Sequence, residues 1–112
     1  MKLPNNEQST VSREKVVNYL LNSNHTVGRA KAIYFTSLGF TADQWELLAA
    51  ALREHSDMHG VSSIEREAFG TMYVIEGKLR TPRGETLRSV RVVWIVTHGE
   101  QHPRLVTAYP VP

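Results

Sequence analysis

No cysteine occurs anywhere in the chain, which excludes disulfides and thiolate metal sites and leaves the redox compartment open. Long apolar runs are missing too. No segment approaches the roughly 18 consecutive apolar residues of a membrane helix, and Met1-Lys2-Leu3-Pro4-Asn5-Asn6 has no hydrophobic stretch behind its lysine. The expectation is a soluble, cytoplasmic protein with no export signal and no membrane partner. There is no P-loop, dinucleotide fingerprint, nucleophile elbow, zinc-finger spacing or internal repeat. No cofactor and no metal are therefore expected. What is present is 112 residues, 41% of them hydrophobic, enough for one domain with a modest core and no room for a second.

Net charge is only +2, but it is unevenly spread. From Lys78 onward six Lys or Arg stand against Glu85 and Glu100, a net +4, whereas residues 1–77 hold seven against nine, a net −2. Arg83, Arg88 and Arg104 of this basic part are candidate phosphate contacts, since such a surface attracts phosphate backbones or an acidic partner protein. Cationic hairpin tips also serve solubility and edge protection, so charge alone does not choose between these uses.

Periodicity divides the chain into helices and then strands. Residues 1–11 are polar and aperiodic and read as a flexible arm outside the core, leaving 12–112 as a single domain. Ser12 is placed to cap a helix to about Leu21, with Val16, Val17, Leu20 and Leu21 as its apolar stripe. A second helix over about Thr26 to Leu38 turns Val27, Ala30, Tyr34 and Leu38 to one side and stops at Gly39. Thr41-Ala42-Asp43-Gln44 matches a capping box, followed by Trp45, Leu48, Ala49 and Leu52 on one face of a third helix. His55, Asp57 and His59 at its end form a polar cluster that lacks a thiolate or fourth ligand, a poor metal set.

After Gly60 the period becomes two. Ile64 to Phe69 and Thr71 to Leu79 are expected strands, the latter with Tyr73, Ile75 and Leu79 on one face, and Thr81-Pro82-Arg83-Gly84 is a turn. Leu87 to Thr97 is the strongest strand, apolar on both faces near its end and hence central, and Arg104 to Tyr109 returns with Leu105, Thr107 and Tyr109 on one face. Arg91, a cation in the middle of the central strand, must be paired or line a cleft. The fold class expected is α+β, with N-terminal helices packed on one face of an antiparallel sheet of about four strands and a site on the uncovered face.

The most informative segment is Asn24-His25-Thr26-Val27-Gly28-Arg29-Ala30-Lys31, which places an imidazole, a guanidinium and an amine within seven residues at the mouth of a helix. The backbone donors there attract anions, and histidine can give or take a proton near neutrality while a cation offsets charge on a phosphorane. A solvated surface histidine beside two cations has the same appearance.

Larger stretches carry a resemblance. Asn18-Tyr19-Leu20-Leu21-Asn22, His25 to Ala32 with Phe35 and Leu38-Gly39-Phe40, Gly70-Thr71-Met72-Tyr73 with Gly77, Leu79, Pro82 and Gly84, Val90 to Val96, and Pro103 to Tyr109 look like a family of small uncharacterised bacterial domains. Its members occur alone and as C-terminal modules of polymorphic toxins, and its layout is similar to the toxin fold of barnase, EndoU, colicin and RelE. The resemblance implies metal-independent RNA cleavage, in which the 2′-hydroxyl attacks the adjacent phosphorus and leaves a 2′,3′-cyclic phosphate. Carried onto this chain, His25 is the general acid or base, Lys31 and Arg91 stabilise the phosphorane, and Thr107 and Tyr109 orient the phosphate or its base. Arg29 is a secondary phosphate contact. RNA and an acidic antitoxin or immunity-type protein are the implied partners. Only one histidine falls inside the matched motifs, so the second proton carrier stays open among Lys31, Tyr109 and water. The competing reading is a non-catalytic module that binds protein or nucleic acid through the basic sheet and hairpin face.

Overall fold

The alternation around Val90, Val92 and Trp94 sets the architecture, because all three side chains are fully buried on one face of the longest strand. In the computed structural model, which describes every residue except Glu85 and the side chains of Thr86, Leu87 and Arg88, helices come first and strands follow. The α+β expectation holds. Helix α1 (Arg13–Lys15) runs directly into a π-helical turn (Val16–Leu20), and α2 (Arg29–Ser37) and α3 (Trp45–Met58) follow. Strands β1 (Val61–Glu67), β2 (Gly70–Arg80), β3 (Thr86–Thr97) and β4 (Arg104–Pro110) form one antiparallel meander in the order β1-β2-β3-β4. No helix among the described residues is long and apolar enough to cross a membrane.

Local chemistry accounts for the helix ends. Ser12 Oγ caps α1 by accepting from Lys15 N at 3.1 Å, and Gly39 ends α2 at φ +101°, where a Cβ would be strained. The expected capping box does not form, since Thr41 Oγ1 accepts from Gln44 N at 3.3 Å in the turn before α3, whose N-cap residue Gln44 makes no side-chain cap bond. The π turn is closed by Leu21 N donating to Val16 O at 2.8 Å. This extra residue per turn keeps Val16 and Leu20 fully buried and leaves Tyr19 between them, half-buried and directed off the core stripe.

Three further expectations are corrected. The first eleven residues are not a loose arm: Leu3 joins the core cluster, Lys2 Nζ donates to Asp57 O at 2.7 Å, and Thr10 pairs alongside Arg104 at the β4 edge. Polar side chains here are backbone partners, which a reading for apolar period overlooks. Helix α2 buries Ala32 and Phe35, while Val27 is 71% exposed and Ala30 is also exposed. Apolar residues lie on several sides of this helix, so their spacing does not select a face; the edge-on contact of Phe35 with Phe40 does. The first strand is Val61–Glu67, and Phe69 lies in the turn after it, 57% exposed.

The fourth strand holds the most consequential difference. Leu105 faces Trp94 and Ala108 faces Val92 on the core side, but Thr107 faces Val93 and Tyr109 faces Arg91. A bulge between Val93 and Trp94 in the register leaves Val106 as the extra residue, so Leu105 and Thr107 point to opposite faces rather than the same one.

The His55-Asp57-His59 cluster is structural. His55 is buried, and its Nε2 donates to Val90 O at 2.9 Å and Gly77 O at 3.1 Å, tying α3 to β2 and β3. Its Nδ1 is buried with no hydrogen-bond partner among the described residues, and His59 stacks edge-on against it at 4.8 Å. Burial first, and then the neighbouring His59, lower the His55 pKa, against the opposing pull of the two carbonyls. An unfolded histidine near pH 6.5 therefore takes up a proton before the folded one does. Stability is fully retained above about pH 6.5 and falls as pH drops below it toward the lower folded value. Thermal melts at pH 7.5 and pH 5.0 are expected to show the lower Tm at pH 5.0, and the gap is expected to narrow in His55→Leu. Equal melting temperatures in the native chain would contradict this account.

Candidate active site at the sheet rim

Register across three strands assembles the first part of the site. Glu76 of β2, Arg91 of β3 and Tyr109 of β4 are consecutive partners in one row. Arg91 donates from Nε to Glu76 Oε1 at 3.0 Å, and its Nη2 forms an ion pair with the same oxygen at 2.9 Å, which supplies the partner that a mid-strand cation requires. The Arg91 guanidinium carbon also lies 5.5 Å from the Tyr109 ring centroid. The bulge at Val106 brings Thr107 to this same face.

The helical segments supply the second part. Helix α2 packs against the π turn and β4. From the π turn, Tyr19 Oη is hydrogen-bonded to Thr107 Oγ1 at 3.1 Å and receives a hydrogen bond from Lys31 Nζ of α2. Lys31 Nζ lies 4.8 Å from the Tyr19 ring centroid and 5.7 Å from that of Tyr109, and Lys15 Nζ lies 5.3 Å from the Tyr19 ring. Burial by itself would raise the Tyr19 pKa. The hydrogen bonds from Lys31 and Thr107 and the charges of Lys31 and Lys15 outweigh it and leave the phenol more acidic than a free tyrosine.

His25 adjoins this cluster through its ring, edge-on to Tyr19 at 5.2 Å. It precedes α2 rather than lying in its first turn, since the helix begins at Arg29. Its Nδ1 accepts from Val27 N at 3.1 Å and Gly28 N at 3.0 Å, so the imidazole itself occupies backbone donors that the sequence offered to an anion. With Nδ1 accepting twice, the neutral ring carries its proton on Nε2. Gly28 makes this arrangement sterically feasible: a Cβ there would sit 2.7 Å from Tyr19 O and 2.8 Å from its ring.

Five candidates thus come together on one rim: His25, Lys31, Arg91, Thr107 and Tyr109. The secondary candidates do not all join them. Arg29 is exposed and shares with His25 a shallow depression lined by Ser23, Asn24, Thr26 and Ile33. Arg83 is exposed in the β2–β3 turn, near Gly39 at the exit of α2. Arg104 pairs with Glu100 at 3.4 Å, and the Arg88 side chain lies outside the described residues. With Arg80 also paired to Glu54 at 3.2 Å, much of the basic C-terminal charge is locally offset.

Tyr19 and Glu76 were missed as site residues. Glu76 was not accessible from sequence, because a register shift between Lys78 and Leu79, and not the Thr81–Gly84 turn alone, sets it opposite Arg91. Nor was Tyr19, because its direction depends on the π turn.

Residues 2–112 match the model of a family described as a domain of unknown function, DUF6883. The chain belongs to the DUF6883 family. Its match takes in the N-terminal residues that the fold ties to the core. The DUF6883 fold is similar to that of a chain in a contact-dependent growth inhibition toxin–immunity protein complex from Klebsiella pneumoniae 342, with a TM-score of 0.70 over 96% of this chain and 97% of that one. Sequence identity between them is 17%, so the likeness is one of fold. No curated protein matches the DUF6883 chain by sequence.

Proposed function

We propose that this chain is a toxin-type ribonuclease that cleaves RNA without a metal, leaving a 2′,3′-cyclic phosphate. The observation that carries the reading is the convergence of Lys31 and Arg91 on Tyr109, beside a phenol held by Lys31 and Thr107. Two cations fixed at one aromatic ring suit a phosphate with its neighbouring base: the charges offset a phosphorane, and the ring face stacks on an unpaired base. His25 contributes an Nε2–H donor, and Arg29 extends the cationic path into the adjoining depression. The fold shared with a chain of a toxin–immunity complex supports the same reading. An acidic immunity-type protein in the cell that makes the chain would cover this rim, with its carboxylates replacing phosphate.

A specific observation favours the alternative, a binding module without catalysis. His25 Nδ1 accepts from two backbone donors, so the neutral ring has only an N–H at its free nitrogen and cannot take the proton from an attacking hydroxyl. Incubation with total RNA in excess EDTA separates the two. The ribonuclease gives fragments ending in cyclic phosphate, reduced in His25→Ala. Intact RNA from folded protein, with retained RNA binding that weakens in Arg29→Glu, establishes the binding module instead.

A further inference from the structure

Within the ribonuclease reading, on which this inference rests, the missing element is the group that removes the proton from the attacking 2′-hydroxyl. His25 is unsuited, because with Nδ1 accepting from two backbone amides the free ring nitrogen of the neutral imidazole is an N–H donor. Arg91 stays charged and is held by Glu76. Lys31 is itself the donor to Tyr19. We propose that Tyr19, which has no role in the sequence-based assignment, is the general base of this site, acting as a phenolate held by Lys31 and Thr107.

The geometry is that of an activated phenol. Lys31 Nζ donates to the phenol oxygen and Thr107 Oγ1 is hydrogen-bonded to it at 3.1 Å; once that oxygen is ionised the threonine hydroxyl can only donate, and both hydrogen bonds strengthen. Lys15 adds a second ammonium over the same ring. The His25 ring and the bare Cα of Gly28 wall the phenol on other sides and fix its position. The perturbation of its acidity described above has the direction this role needs.

The step balances without an added co-reactant other than water. The phenolate oxygen takes the 2′-hydroxyl proton as the 2′-oxygen bonds to phosphorus. The bond from phosphorus to the 5′-oxygen breaks, and that oxygen takes a proton from water. The hydroxide so formed removes the proton from Tyr19, restoring the phenolate. Nothing is oxidised or reduced, and the products are a 2′,3′-cyclic phosphate and a 5′-hydroxyl.

The test compares the full chain with Tyr19→Phe and Lys31→Met, each shown to be folded by circular dichroism. Cleavage of total RNA in EDTA is followed against pH, and phenol ionisation by ultraviolet difference titration. In the native chain the rate is expected to rise with pH along the ionisation of one phenol that titrates below a free tyrosine. Tyr19→Phe is expected to abolish that limb and lower the rate by about 10²- to 10⁴-fold, and Lys31→Met to move the limb to higher pH. A Tyr19→Phe variant with the native rate and pH profile overturns the assignment, as does a Tyr19 that ionises as a free tyrosine does. A native chain that cleaves no RNA, yet shows the early-titrating phenol, overturns the ribonuclease reading and leaves the activated phenol in place.

Discussion

Arg91→Met is expected to lower RNA cleavage by about 10²- to 10³-fold, the usual loss when one fixed charge-stabilising donor is removed from a transition state. Stability is expected to change by less than about 1 kcal/mol, because the partner Glu76 is partly exposed and such pairs contribute little to folding. The methionine keeps most of the Arg91 stem and removes the guanidinium that lies 5.5 Å from the Tyr109 ring centroid, so packing is largely conserved. This split between activity and stability is the useful signature. Single-turnover cleavage and a thermal melt of the same preparation measure both terms. A variant with native cleavage would confine the guanidinium to its ion pair and remove it from the site, whereas a large drop in Tm would make the Glu76–Arg91 pair a structural element of the sheet.

Gly28→Ala is expected to damage fold and site together. The φ of Gly28 is −87°, an ordinary value, so the requirement is one of space and not of backbone conformation. The added methyl would meet the Tyr19 carbonyl oxygen at 2.7 Å, and a backbone atom cannot swing aside as a flexible side chain can. Overpacking of this kind costs about 1–3 kcal/mol, which lowers Tm by roughly 4 °C or more in a domain of this size. Relief requires Tyr19 or the 25–28 turn to move, and either motion shifts the phenol relative to Lys31 and Thr107. A displacement on the order of 1 Å can reduce turnover about 100-fold. A melt and a cleavage assay check the two effects, and native values for both would mean that the turn yields freely.

How far this molecule could be read from its sequence depended on whether a feature was local. The third helix, the central strand with Val90, Val92 and Trp94 inward, the Thr81–Gly84 turn and the need of Arg91 for a partner all follow from periodicity or from one residue's chemistry, and the structure holds each of them. The gathering of His25, Lys31, Arg91, Thr107 and Tyr109 on one rim follows from the family resemblance and not from spacing. What stayed illegible depends on an irregularity in the backbone. Tyr19 is aimed by a π turn, Tyr109 and Thr107 by a bulge, and His25 is held by two amide donors that exist only because α2 starts at Arg29. Leu3 was hidden for a different reason: a single buried leucine in a polar segment has no period to betray it.

The extra residue in β4 makes the site sensitive to length in a way that differs from its sensitivity to side-chain type. Removing Val106 would take out the one β4 residue that has no partner in β3, so that Leu105 stays opposite Trp94 and Thr107 opposite Val93 in an unbroken ladder and the rim row is kept. Removing Ala108 instead would make Thr107 and Tyr109 immediate neighbours, which must point to opposite faces, so that one of the two leaves the rim. A length change in β4 is therefore absorbed at the bulge and disruptive two residues further on, whereas substitutions along the same strand only grade the rim.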